Sequence, residues 1–225
     1  MQTEKYPAIY ADTFQYYPNV WIQNTGETLF LEIDGVVLSS HDFDSWKIYP
    51  VYLEHTPDLD KLQRFEFTPQ GYLQNFTISW EMPLLLIDKN NHKQTIQILL
   101  RYRDVRNGGF DLSFEWLGKY FFFTKLPDFE AILAQVKRTT GLHMQNCFGC
   151  KWSDYSVYGQ SAFGSLMCFQ HIRDKYPDIP DHSEYQHYKD YYMDAVMDNY
   201  EQFVQETYCC AHFTPRPDQN TGYRG

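Results

Sequence analysis

The side chains with the clearest chemical potential are five cysteines, all of which follow position 146. Cys147 and Cys150 form a C-x-x-C pair, and this spacing lets two thiolates chelate one ion from a tight turn. Cys168 comes 18 residues after Cys150, and Cys209 and Cys210 end the last predicted strand. Because neighbours on a strand point to opposite faces, only one of this last pair is expected to reach a shared site.

One C-x-x-C pair and two single cysteines would close a tetrahedral thiolate site of the kind that structural Zn²⁺ occupies. Two other interpretations stay open: the thiols are reduced and packed, or they perform redox or nucleophilic chemistry. For nucleophilic chemistry Cys147 would need a nearby imidazole, and the candidates are His143, His171 and His212. The sequence has no Walker loop, no dinucleotide glycine fingerprint and no H-E-x-x-H segment, so these enzyme classes are not indicated.

The stretch from Cys147 to Ser156, C-F-G-C-K-W-S-D-Y-S, resembles the signature of a bacterial family of uncharacterised proteins. The resemblance continues at Gly159, Phe163-Gly164, Cys168-Phe169, Gln205-Glu206-Thr207-Tyr208-Cys209 and Phe213, and it is dense only in the last third of the chain. It implies that Cys147, Cys150, Cys168 and Cys209 are the related set and that Cys210 is an extra thiol. The activity of the family is not established, so the resemblance implies no catalytic residue.

The segment after the C-x-x-C pair is a candidate recognition loop. Its proposed partner-binding residues are aromatic anchors and one carboxylate: Trp152, Asp154, Tyr155 and Tyr158. The alternative is that the short polar side chains of residues 153–156 hydrogen-bond the local backbone and shape a turn.

A second candidate surface is an acidic stripe on a helix predicted to begin at Ser183. One face of this helix carries Asp190, Asp194, Asp198 and Glu201. Like charges four residues apart destabilise a helix by roughly 0.2–0.5 kcal/mol per pair, and no Lys or Arg offsets them locally. The stripe is either a solvated face or a docking surface for a basic protein.

Composition limits the possible partners. The 225 residues include 19 Lys and Arg against 29 Asp and Glu, which gives a formal net charge of −10. Nucleic-acid binding depends on clustered basic residues, so we expect no nucleic-acid partner. No apolar run approaches the roughly 20 residues that span a bilayer, and residues 1–5 lack an apolar signal core. We therefore expect no membrane partner and a cytoplasmic, reducing location, where clustered thiols are more often metal ligands or core residues than disulfides.

The predicted secondary structure differs between residues 1–126 and residues 127–225, and this difference divides the chain into two parts. The first part consists of short β segments at hairpin spacing, and Asp34-Gly35 is a typical two-residue hairpin turn. Further strands are predicted at 46–53, 62–67, 73–80, 84–87, 94–102, 110–116 and 120–123. In the second part a helix is expected between Asp128 and Gly141, with strands at 166–169 and 204–213.

These patterns predict an α+β protein. An antiparallel β-rich sheet or sandwich is packed, as one globular unit, on a cysteine- and tyrosine-rich part with two helices and short strands. We expect a non-enzymatic protein-binding protein with a structural Zn²⁺ site. Its general character is similar to that of acidic inhibitors or toxin-immunity proteins, which mask a basic partner. The competing interpretation is a thiol-dependent or metal-dependent enzyme that uses the cysteines and histidines, and the oligomeric state is left open.

Overall fold

A computed structural model describes residues 4–25, 28–50, 59–104, 108–155, 165–172, 202–208 and 210–216. Most of the described chain is antiparallel β-sheet. The strands are β1 (Glu4–Asp12), β2 (Tyr16–Asn24), β3 (Leu29–Ile33), β4 (Val36–Ser40), β5 (Lys47–Ile48), β6 (Phe76–Ile87), β7 (Lys93–Arg103), β8 (Gly109–Trp116), β9 (Lys119–Leu126), β10 (His143–Gln145), β11 (Ser153–Tyr155), β12 (Ser165–Cys168) and β13 (Gln202–Gln205). The helices are α1 (Leu59–Leu62) and α2 (Phe129–Thr140), with a 3₁₀ turn at Gln170–Ile172.

Two sheets are present in the described ranges. The larger has ten strands in the order β5-β4-β3-β2-β1-β6-β7-β8-β9, with β10 paired to β6 outside this path. The smaller has three strands in the order β11-β12-β13. The antiparallel sheet and the helices confirm the predicted α+β class. The proposed division at residue 126 stays a prediction, and β10, which follows it, belongs to the larger sheet.

Strand β6 is the longest of the described strands, with 12 residues, and it pairs with β7 from Thr77 to Ile87. Its other edge is shared by two strands, because β1 pairs with Phe76–Trp80 and β10 pairs with Leu85–Ile87. Pro83 lies between these two pairings. A proline has no N–H to donate to a ladder, so it is tolerated where an edge has no partner. The sequence pattern predicted two strands here, whereas the structure has one continuous strand.

The β3–β4 hairpin forms where the sequence predicted it. Asp34 and Gly35 have φ angles of 49° and 80°, as a type I′ turn requires. Alternate residues on both strands are buried, with Leu31 opposite Leu38. The turn chemistry and the alternating pattern therefore specify the same register.

The core lies on one face of the larger sheet. Phe43 comes from the segment between β4 and β5 and stacks on Trp80 with ring centroids 4.7 Å apart. It also meets the edges of Trp46 and Phe110, at 5.7 and 5.9 Å. All four of these side chains are buried. Aromatic packing of this kind accounts for much of the high aromatic content.

The opposite face of the larger sheet, called here the outer face, carries large exposed apolar side chains. Ile9 and Trp21 lie on β1 and β2 and are 38% and 43% exposed. Tyr120 and Phe122 lie on the edge strand β9 and are 69% and 59% exposed. The two pairs lie on separate parts of this face, because β6, β7 and β8 separate β1 from β9. Exposed aromatic side chains are enriched at protein-contact surfaces.

Two further sequence predictions need correction, and two strands were missed. The strand predicted at 62–67 is absent, because Leu59–Leu62 is helical and only an isolated bridge joins Phe67 to Leu73. The strand predicted at 204–213 is too long, because β13 ends at Gln205 and a turn follows. Strands β1 and β2 were not predicted, although each has nine residues. Among the described helices, none has the length and apolar character needed to cross a membrane.

Helix α2 begins and ends as its sequence predicts. The Asp128 carboxylate accepts a hydrogen bond from the Ala131 N–H at 2.7 Å. Gly141 ends the helix with a φ angle of 73°, and its N–H donates to the Lys137 carbonyl oxygen. Phe129, Ile132 and Val136 bury one face of the helix, which contacts β8, β9 and β10.

We predict that Asp128→Ala lowers the free energy of unfolding by about 0.5–2 kcal/mol, because the helix loses its N-cap acceptor. Urea denaturation followed by circular dichroism measures this loss. Asp128→Ser is the matched control, since its hydroxyl oxygen also accepts the Ala131 N–H bond. Equal losses in both variants would contradict the assignment of Asp128 as the cap.

Candidate thiol site

A tight turn directly after β10 holds the first two thiols. The buried Asn146 side chain accepts a hydrogen bond from the Gly149 N–H at 2.9 Å, and the Cys150 N–H donates to the Cys147 carbonyl oxygen at 3.0 Å. A Cβ atom on Gly149 would lie only 3.3 Å from the Met144 carbonyl oxygen, so a side chain would crowd this approach. The conformation of the C-x-x-C turn therefore depends on two of its own residues, Asn146 and Gly149.

A second turn presents Cys210. The Phe213 N–H donates to the Cys210 carbonyl oxygen at 3.4 Å. The chain then runs antiparallel to the first turn, with an isolated bridge between Cys150 and Pro215. Backbone hydrogen bonds of 2.7–3.0 Å join the two regions: Cys147 N to Tyr208 O, Phe148 N to Glu206 O, Lys151 N to Thr214 O, and Arg216 N to Gly149 O. The ladder fixes Cys210 beside the C-x-x-C turn.

Cys147 and Cys210 form a hydrogen-bonded pair of sulfur atoms. This bond is the largest cause that lowers the pKa of Cys210 to about 6, and the backbone N–H and charge of His212 lower it further. The same bond, together with burial, raises the pKa of Cys147 far above the ordinary thiol value. These opposite shifts favour an arrangement at neutral pH in which the Cys147 thiol donates to a Cys210 thiolate.

The other two described thiols lie within electrostatic range of Cys147, because the charges of Cys150 and Cys168 also raise its pKa. Cys147 and Cys150 are each only 5% exposed, whereas Cys168 and Cys210 are half-buried, and no disulfide links these four. Within the described ranges, no three His, Cys, Asp or Glu side chains converge closely enough to hold a metal ion as they stand.

Ser153 braces the C-x-x-C turn. Its hydroxyl donates to the carbonyl oxygens of both Cys147 and Cys150, and Ser153 is 1% exposed. These bonds favour the interpretation in which polar side chains after the cysteines shape a turn. The sequence offered this alternative but did not indicate which carbonyl groups Ser153 would bind.

Two of the proposed partner-binding residues have contacts within the chain. The Trp152 indole N–H donates to the Thr214 hydroxyl at 3.0 Å, and the ring is half-buried. Asp154 is 1% exposed and lies 3.7 Å from the guanidinium group of Arg216, which also donates to the Ser153 carbonyl oxygen. Both residues therefore help to join the first turn to residues 214–216, which sequence reasoning did not foresee.

Several proposed site residues fall outside the described ranges: Cys209, Tyr158, Asp190, Asp194, Asp198 and Glu201. The helix predicted from Ser183 falls there too. Tyr155 ends β11. The structure therefore describes three of the four proposed zinc ligands, and it adds Cys210.

The three histidines proposed as bases for Cys147 are all exposed. His212 acts on Cys210, through its backbone N–H and its charge, and no such contact to Cys147 is described. A cavity of about 660 Å³ lies between α2, β10 and the two turns, and Glu130, Lys137, His143, Phe148 and Arg216 are among its lining residues. None of the described cysteines lines this cavity.

Comparison with known families gives one match, to DUF6304, a family of unknown function, over residues 4–153. The chain belongs to this family. The DUF6304 match includes the larger sheet, α2 and the C-x-x-C turn, and it ends at Ser153. The match therefore covers the β-rich part, but of the signature in the last third of the chain it includes only residues 147–153, and the rest of that signature stays a prediction. No curated protein and no solved structure matches this DUF6304 chain.

We predict that Cys210 of the reduced, metal-free protein reacts with iodoacetamide with a midpoint near pH 6, because its pKa is lowered to about 6. Below that pH the thiolate is protonated and the rate falls. Mass spectrometry of the labelled peptide measures the rate. Cys147→Ala removes the hydrogen-bond donor and should move the midpoint toward the ordinary thiol value of about 8.5. A midpoint near that ordinary value in the unaltered protein would contradict the thiolate assignment.

Proposed function

We propose that the protein is a non-enzymatic binding protein for a basic protein partner, and that its cysteines hold a structural Zn²⁺. The observation that carries the structural role is the burial of Cys147 and Cys150, each 5% exposed, in a turn that backbone hydrogen bonds hold in place. Buried cysteines of this kind are usually structural, whereas catalytic thiols are partly exposed in a substrate cleft. No described cysteine lines the cavity near the site.

The chemistry of the donor set fits zinc. Four thiolates form a closed tetrahedral site of the kind that structural Zn²⁺ occupies, and the C-x-x-C spacing is typical of two of its ligands. We assign Cys147, Cys150 and Cys168 to three positions. Binding would require Cys147 to lose the proton that it shares with Cys210, so affinity should fall as the pH falls. The side chains must also draw closer together than they lie in this structure.

The fourth ligand is Cys209 or Cys210. The family resemblance implies Cys209, whereas the hydrogen bond from Cys147 favours Cys210. Neighbouring residues on a strand face opposite ways, but β13 ends at Gln205, so this rule does not decide between Cys209 and Cys210. We assign Cys210, since its thiolate lies against Cys147 and its pKa of about 6 leaves it ready to ligate at neutral pH.

We predict one zinc ion per chain in freshly purified, never-oxidised protein, measured by mass spectrometry of the metal. Cys147→Ser and Cys210→Ser should each lose the zinc and unfold at a lower temperature. Cys209→Ser is the matched control, because it changes the neighbouring thiol, and it should keep the zinc.

Two outcomes would count against this assignment. Absence of stoichiometric zinc in the unaltered protein would reject the metal site and leave the thiols as reduced core residues. Loss of zinc in Cys209→Ser but not in Cys210→Ser would keep the site and transfer the fourth position to Cys209.

The binding role rests on charge and on the outer face of the larger sheet. The net charge of −10 favours association with a basic surface. Trp21 and Phe122 offer exposed aromatic anchors on that face, of the type that is enriched at protein interfaces. The most specific form of this proposal is an acidic inhibitor or immunity-like protein that masks a basic protein.

We predict that the tagged chain, expressed in its native cells, co-purifies with a stoichiometric basic protein that is released as the salt concentration rises. Trp21→Ser and Phe122→Ser should reduce the recovered partner. Phe14→Ser is the control, because Phe14 is 80% exposed but lies in the turn between β1 and β2. An acidic partner, or recovery that is insensitive to salt, would contradict the proposal.

An enzyme is the second candidate function. Two observations favour it: the Cys210 thiolate, whose pKa is about 6, and a nearby cavity of about 660 Å³, a volume typical of small-molecule sites. Cys210 does not line this cavity, so a substrate bound there would have to extend toward the thiolate. A metabolite that co-purifies with the protein in stoichiometric amount, in place of a protein partner, would favour this candidate.

A further inference from the structure

A small hollow on the outer face combines aromatic rings with one carboxylate. It has a volume of about 280 Å³ and lies across β1 to β4 and the residue after β5. The lining residues are Lys5, Trp21, Gln23, Phe30, Glu32, Val37 and Tyr49. This volume is below the roughly 300–1,000 Å³ of sites for drug-sized ligands, so it suits a single side chain better than a small molecule.

The strand register brings the lining side chains together. Trp21 is directly opposite Glu32, and Gln23 is directly opposite Phe30. Phe30 and Tyr49 meet edge to face, with ring centroids 5.1 Å apart and planes at 90°. The hollow therefore has aromatic walls, and the exposed carboxylate of Glu32 lies beside the Trp21 ring.

A cation already occupies part of this hollow. The ammonium group of Lys5 lies 4.8 Å from the centroid of the Trp21 ring, which is within the distance of a cation–π contact. Lys5 belongs to β1 and is exposed, so its side chain can leave without disturbing the core. The chain's own lysine thus shows which chemical group the aromatic surface accepts.

We propose that the hollow receives a lysine side chain of the basic protein partner, whose ammonium group replaces that of Lys5 on Trp21 and pairs with Glu32. This inference rests on the proposed function, and it names the site that binds one basic residue of the partner. Displacement of Lys5 leaves Glu32 as the charged group of the hollow, so an incoming ammonium group restores neutrality.

The test uses an end-blocked tetralysine peptide, titrated at low ionic strength into ¹⁵N-labelled full-length protein. We expect the Trp21 indole N–H signal to shift and saturate. Trp21→Ala and Glu32→Gln should each weaken binding by about twofold to fivefold, as expected for an exposed cation–π or ion-pair contact. Backbone amide signals give the affinity of each variant and show whether it is folded.

Lys5→Ala is the sharpest variant, because it removes the internal competitor and should tighten tetralysine binding by about twofold to fivefold. Removal of any positive charge also favours a cationic peptide in general. Lys93→Ala, an exposed lysine on β7, measures that general effect and should give a clearly smaller change. A blocked tetraglutamate peptide should not shift the Trp21 signal.

Unchanged tetralysine affinity in both Trp21→Ala and Glu32→Gln would overturn the hollow as the site, and the proposal of a basic partner would stand. Equal effects of Lys5→Ala and Lys93→Ala would also overturn it. If tetralysine does not bind at all, the hollow is rejected, and the salt-dependent co-purification decides separately whether a basic partner exists.

Discussion

The pairing of β6 is the constraint on which the other elements depend. One edge of this 12-residue strand is paired with β7 from Thr77 to Ile87, and the other edge is divided between β1 and β10. Antiparallel pairing fixes the register residue by residue, because a slip by one position would turn every core side chain outward. The strands on the β1 side and those on the β7 side are therefore aligned by the same central strand.

This arrangement also positions the thiols. Strand β10 ends at Gln145, and the C-x-x-C turn begins two residues later. The turn is thus attached to the end of β6 through only three paired residues of β10. Helix α2 also contacts β10. Glu206, Tyr208, Thr214 and Arg216 then add backbone hydrogen bonds to the turn. The larger sheet therefore determines where Cys147 lies, whereas the hydrogen bond with Cys210 is the largest cause of its raised pKa.

Local signals in the sequence predicted local structure well. Asp34-Gly35 and the Asp128 to Gly141 boundaries each carry their own backbone requirement, a positive φ angle or a side-chain cap, so neighbouring residues are sufficient to indicate them. Strands β1 and β2 were missed because Pro7 and Pro18 interrupt the alternating pattern. The pair of Cys147 and Cys210 could not be assigned from spacing, since a turn after β13 replaced the expected strand. The hollow around Trp21 depends on the register of four strands and on the residue after β5, so no local sequence pattern could indicate it.

The backbone bonds that join the C-x-x-C turn to Glu206 and Tyr208 have a consequence for synthesis. Cys210 is made 63 residues after Cys147, and at roughly 5–20 residues per second this delay lasts about 3 to 13 seconds. During this interval the nascent chain has the first turn but lacks the Tyr208 and Glu206 carbonyl groups that accept its N–H bonds. Cys147 and Cys150 then lack the cover that buries them in the finished protein. These two thiols are therefore more accessible to solvent during those seconds than in the finished protein.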